Sequence, residues 1–169
     1  MTDVSYTLML WDMPATVLKD VVASGLKVNE PDSFGEYPLT VAAARLQVAS
    51  VEVLLNADAD PNVQNFERDT PLLRAIDVVH HNPSAAIAIV EKLAAAGAHL
   101  ELRGYMDKTP FLKACSRGSL QMVQLLVKLG ADISAVVEDA GDKLDAVDFA
   151  NIFDTPAEMG VYLRGLRRA

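Results

Sequence analysis

"TPFLKACSRGSLQMVQLLVKLGAD", residues 109–132, decides how this chain is read. Thr109 is a good helix N-cap, and Pro110 occupies the first helical position, where its missing N–H costs nothing. Gly118 closes that helix and Ser119 caps the next. Leu120, Val123, Leu126 and Leu129 then recur at helical spacing until Gly130 ends it. The spacing predicts two helices of about 7 and 11 residues, below the about 12 to 15 at which an isolated helix is even marginal in water. Such a pair must be held by neighbours.

Copies of the same pattern supply those neighbours. "YPLTVAAARLQVASVEVLLNADADPN" begins at Tyr37 and "TPLLRAI" at Thr70; Pro38 to Pro71 is a step of 33 residues and Pro71 to Pro110 one of 39. The six extra residues fit at "VVHHNPSA", between the two helices of the middle copy. Gly25, Asp58, Gly97 and Gly130 close four second helices, each followed by a matching run, "GLKVN", "DADPN", "GAHLE" and "GADIS". The repeat is helix, turn, helix, extended loop.

These residues resemble the ankyrin-repeat motif, G-x-T-P-L-H-x-A-A followed by a second helix and G-A-D-V-N. Residues 109–133 match best, and 35–62 and 68–101 match less closely. Residues 4–29 and 143–169 read as degenerate end repeats. The resemblance implies an all-α ankyrin-repeat solenoid of about five helix-turn-helix repeats, approximately 1–33, 34–66, 67–105, 106–138 and 139–169, forming one domain. The family's His falls at Thr40, Leu73 and Leu112, which puts its hydrogen bonds between neighbouring loops in question. Gly35 keeps the usual loop glycine, and Arg68, Asp107 and Lys143 take the equivalent places.

Composition agrees. With 51% hydrophobic but only 6% aromatic residues, the core must be built largely from Ala, Leu and Val. Ala42, Ala43, Ala75 and Ala114 allow close packing of helices. No apolar run reaches the 18 or so residues of a membrane span, and the N-terminus lacks the basic start of a secretory signal. The single cysteine, Cys115, falls at a core position; a reduced, cytoplasmic setting is the simplest inference.

No catalytic or metal-binding residues and no cofactor are expected. His80 and His81 lie in a loop and His99 in another repeat, without recognisable ligand spacing. "DADPNVQNFERD", residues 58–69, imitates a calcium loop, but Val63 replaces the required Gly and Asp69 the usual Glu. The repeat explains the same residues. Asp145 and Asp148 have no pocket assigned to them by the sequence.

The resemblance implies partner contacts along the exposed face of each first helix and at the loop tips. By position, that face carries Leu8, Trp11 and Asp12, then Val41, Ala44 and Arg45, then Arg74, Asp77 and Val78, then Lys113, Ser116 and Arg117, and last Phe149 and Ile152. Arg45, Arg74, Lys113 and Arg117 are cations in a chain of formal net charge −8, suited to an acidic segment of a partner protein. The acidic balance opposes nucleic acid. The loop tips "EPDSFGEY", "VQNFERD" and "LRGYMDK" place Phe34, Phe66, Tyr105 and Met106 at turns, and such residues are enriched in interface cores. Trp11 reads equally as a contact or as a cover for the core. Glu138, Asp139, Asp142, Asp145 and Asp148 crowd the last loop, and Arg164, Arg167 and Arg168 mark the C-terminus.

The expected function is that of a free-standing, monomeric, non-catalytic binder of another protein, an adaptor or inhibitor. A neutraliser of a toxin or enzyme acting through the acidic exterior is the alternative. An enzyme with an unrecognised metal or acid–base site is the alternative of another class.

Overall fold

The end signals at residues 109–132 act as read. In the computed structural model, which describes residues 5–10, 12–139, 141–153 and 155–166, the Thr109 hydroxyl accepts from Leu112 N at 3.3 Å and starts helix α7 (Pro110–Ser116). Ser119 accepts from Met122 N at 3.4 Å and starts α8 (Leu120–Leu129), which Gly130 ends in the left-handed region at φ 92°. Thr70 does for α5 (Pro71–Asp77) what Thr109 does for α7, and Asn82 caps α6 (Pro83–Ala95). The remaining helices are α1 (Tyr6–Met9), α2 (Ala15–Ala23), α3 (Pro38–Ala44), α4 (Val48–Leu55), α9 (Ala146–Ile152) and α10 (Ala157–Leu166).

Packing divides the chain into an N-terminal module, Met1–His99, and a C-terminal module, Leu100–Ala169. In the N-terminal module the first helices α1, α3 and α5 pack side by side, as do the second helices α2, α4 and α6. In the C-terminal module α7 packs on α9, and each pairs with its own second helix. The architecture is all-α, helix-turn-helix repeats stacked as in an ankyrin solenoid. Leu39, Leu54, Leu72, Ile76 and Leu93 are wholly buried in one module, and Phe111, Leu112, Met122 and Leu126 in the other. Burying a side chain of this size is worth about 1.5–3 kcal/mol, and no single short helix could gain that alone.

Residues other than the family's His join one extended turn to the next. Asn29 donates to Asp58 O at 2.9 Å and accepts from Asp60 N at 2.8 Å. Asn62 repeats this with Gly97 O at 3.2 Å and His99 N at 2.7 Å, and in the C-terminal module Glu101 accepts from Asp132 N at 2.8 Å. The last residue of each of the first three "GLKVN"-type runs is therefore the rung.

Two readings need correction. The extra length of the middle repeat does not lie wholly between its helices, because α6 has 13 residues where α4 has 8. The last connecting loop forms a small antiparallel hairpin, β1 (Val137–Asp139) with β2 (Asp142–Leu144), paired Val137 to Leu144. Gly141, at φ 95°, supplies its left-handed residue; Lys143 lies in β2, with its ammonium 3.6 Å from Glu138.

Candidate functional site

Each loop tip is closed by a five-residue turn. In the tip at 32–36, Asp32 N donates to Glu36 O, and the Asp32 carboxylate accepts from Phe34 N and Glu36 N at 3.0 Å and from Tyr6 N at 2.8 Å. In the tip at 65–69, Asn65 Oδ1 accepts from Glu67 N and Asp69 N, while Asn65 Nδ2 reaches back to Glu36 Oε1 at 3.1 Å and ties the two tips together. Phe34 and Phe66 stand on these braced turns, 68% and 78% exposed. The Phe66 ring lies across Gly35: a Cβ there would come within 2.4–2.6 Å of three ring carbons. Gly35, at φ 74°, is thus required by its backbone and by its neighbour's ring.

The C-terminal module has one such tip, at 104–108. Gly104 stands where Asp32 and Asn65 stand and offers no side chain to brace the turn. Arg103 substitutes, donating to Asp107 O at 2.7 Å and pairing with Asp107 Oδ2 at 3.0 Å. Tyr105 and Met106 are exposed, and Met106 and Asp107 both hold positive φ.

The expected cations of the helix faces differ among themselves. Arg74 is half-buried and already matched, 3.1 Å from Glu67 and 3.9 Å from Glu36. Arg45 follows α3 and is half-exposed, and Arg117 follows α7 and is exposed. Lys113 departs from the expectation of an exposed face. It is only 6% exposed, with its long apolar stem buried. Val41 and Phe149, placed on the same face by position, are buried too, whereas Leu8 and Ile152 are exposed. Trp11, Arg167 and Arg168 lie outside the described residues.

The groups weighed for chemistry have structural employment. Asp145 and Asp148 form a capping box on α9: Asp145 Oδ1 accepts from Val147 N and Asp148 N, and Asp148 Oδ2 accepts from Asp145 N. The side chain of Asn62, in the calcium-like stretch, is spent on the rung to Gly97 and His99. Among the described residues no group of three or more His, Cys, Asp or Glu converges to hold a metal. Cys115 is buried, and desolvation pushes its thiol from 9.0 to about 12, far from nucleophilic use. A cavity of about 400 Å³ in the C-terminal module, lined chiefly by Phe111, Ile133, Val136 and Leu163, and a groove of about 520 Å³ between α2 and α4, walled by alanines and Val22 and Val53, are largely apolar.

Sequence reasoning missed Asp32, Asn65, Glu36 and Glu67. An acid or amide two residues ahead of the exposed Phe34, and again one residue ahead of Phe66, is the signal that was present.

Similarity to known proteins agrees with this geometry. The family model described as Ankyrin repeat matches residues 107–135. The putative ankyrin repeat protein YahD of Escherichia coli is 32% identical over 117 residues, 69% of this chain and 58% of that protein. Ankyrin repeat protein nuc-2 of Neurospora crassa is 30% identical over 123 residues, 72% of this chain. The chain is an ankyrin-repeat protein. Human NF-kappa-B inhibitor alpha is 29% identical over 122 residues, covering 70% of this chain and 38% of that one. The chain spans only about a tenth of nuc-2, 11% of its length. Ankyrin repeats make this protein an interaction module, of a family whose fold is typically non-catalytic. No helix among the described residues is long and apolar enough to cross a membrane.

Proposed function

We propose that this ankyrin-repeat protein is a non-catalytic adaptor or inhibitor, acting as a cytoplasmic monomer, that holds a partner protein on its loop tips and on the exposed faces of its first helices. One observation carries the reading: Phe34, Phe66, Tyr105 and Met106 are displayed at turns, while helices α3 to α8 leave no large apolar side chain exposed. Exposed aromatic residues and Met on rigid supports are the composition of interface cores. Arg45 and Arg117, at the ends of α3 and α7, supply polar contacts on the helix faces. The tie to an inhibitor is the similarity to human NF-kappa-B inhibitor alpha, and the buried, protonated Cys115 suits a reducing compartment.

The test uses the intact chain as bait in an extract of its source cell. Phe66→Ala with Tyr105→Ala should lose the captured protein while circular dichroism stays that of the parent; capture at parental strength by that folded variant would refute the assignment. A second reading is favoured by the hairpin β1–β2, which displays Glu138, Asp139 and Asp142: neutralisation of a basic partner surface. Replacing these three by Gln and Asn abolishes capture under the second reading and spares it under the first.

A further inference from the structure

Charge in this chain is distributed by place. Residues 24–37 and 56–70, which join one repeat to the next in the N-terminal module, carry seven acidic and two basic side chains, whereas the rest of that module carries six and four. The acidity is thus concentrated at the edge where Phe34 and Phe66 stand. Glu30 and Glu67 are exposed there, and Glu36 lies beneath with Oε2 buried and without a hydrogen-bond partner. Among the described ion pairs, Arg74 is shared between Glu36 and Glu67, and Lys27 lies 3.3 Å from Glu30. Helix-face cations would draw an acidic ligand, but the edge that holds the exposed rings has the opposite sign.

We propose that Phe34 and Phe66 anchor a cationic segment of the partner, one bearing arginine or lysine, with Glu36 and Glu67 as its counter-charges. The inference rests on the interaction function proposed above and names the chemistry of its loop-tip site. An arginine or lysine side chain laid over an exposed ring gains a cation–π contact, and a guanidinium can do so while donating to a carboxylate. Both tips are already fixed, by Asp32 and Asn65, and the Asn65–Glu36 bond holds one to the other, so little ordering is left to oppose binding. The excess of acid along the same edge draws such a segment in and repels an acidic one.

The probe is a fluorescein-labelled octa-arginine peptide, followed by anisotropy with the full chain, with octa-glutamate as its counterpart. Binding of octa-arginine should weaken as salt is raised and the screening length contracts to about 8 Å. Phe34→Ser with Phe66→Ser leaves the net charge untouched and should weaken binding at least about tenfold. Glu36→Gln with Glu67→Gln should remove most of the salt dependence. Val161→Ser, at an exposed apolar residue of α10 in the other module, should change nothing. Unchanged circular dichroism certifies each variant. Parental affinity in the double Phe variant, tighter binding of octa-glutamate, or no binding of octa-arginine at all would overturn the proposal. If the bait still captures its protein while octa-arginine fails, only the cationic assignment falls; if neither is bound, the interaction function falls with it.

Discussion

The two modules are built from the same repeat and differ in where they put their aromatic residues and their charge. The N-terminal module holds thirteen acidic and six basic side chains and stands Phe34 and Phe66 on braced turns in solvent. The C-terminal module holds ten and nine, buries Phe111 completely, and stacks Phe149 on Phe153 with the Lys108 ammonium 4.8 Å from both ring centroids. One module spends its phenylalanines on display and the other spends them chiefly on cohesion. A repeat fold permits this because the helical hairpins carry the core and leave the turns free to vary.

The largest test of the contrast compares two phenylalanines. Phe111→Ala leaves a cavity in a packed core and should cost about 3–5 kcal/mol, read by urea unfolding; Phe66→Ala should cost less than about 0.5 kcal/mol, as for an ordinary surface change. Comparable losses would show that Phe66 is a core residue and that the display is only apparent.

Cys115 gives the C-terminal module an alkaline weakness. Its folded value, about 12, lies above the 9.0 of the exposed thiol, so the native state keeps a proton that the unfolded chain surrenders. The corresponding stability is complete below about pH 9 and drains as pH rises towards 12, by at most about 1.4 kcal/mol per pH unit. Cys115→Ala should show a shallower decline over that window; parallel profiles for parent and variant would mean that the thiol is not desolvated.

A third comparison sets Gly118 against Leu46, which occupy matching turns at φ 67° and φ 56°. A Cβ on Gly118 would stand 3.3 Å from Thr155 and Pro156 as well as in the left-handed region, so Gly118→Ala should lose about 1–2 kcal/mol. Leu46 bears the conformational cost already. Leu46→Gly should therefore be tolerated far better, and equal losses would show that the Leu46 side chain, not its backbone, matters in that turn.

The parts of the fold that were legible in the sequence are those set by one residue's own chemistry. Thr109 and Ser119 cap because a hydroxyl next to a helix start has one useful thing to do, and Gly25, Gly97 and Gly130 end helices because φ there is positive. Asp58 fills the same role without being glycine, and its place in the repeat revealed it. The site was less legible. That Phe34 and Phe66 stand at turns follows from spacing, but the Arg74 match to Glu36 joins residues of different repeats and needs coordinates. Lys113 misled because a charge on an expected exposed face says nothing about where its stem packs. The hairpin β1–β2 escaped because three-residue strands carry no usable period.

The smallest effect separates the tips themselves. Arg68 holds φ 64° at the place Gly35 fills in the preceding tip, and Asp107 holds φ 55° at the same place in the C-terminal module. A left-handed non-glycine residue costs about 1–2 kcal/mol, offset by the about 0.5–1 kcal/mol that glycine's extra chain entropy takes away, so Arg68→Gly should raise stability by about 0.5–1 kcal/mol. Asp107→Gly relieves the same strain but removes the carboxylate that pairs with Arg103 at 3.0 Å, on the tip that has no Asp32 or Asn65 to hold it. Its net gain should be near zero by thermal unfolding. Arg68→Gly also takes a cation from the acidic edge, so the stabilised variant should bind octa-arginine more tightly than the parent. A gain in stability without a gain in binding would separate the conformation of the tip from its charge and leave the rings as the sole anchor.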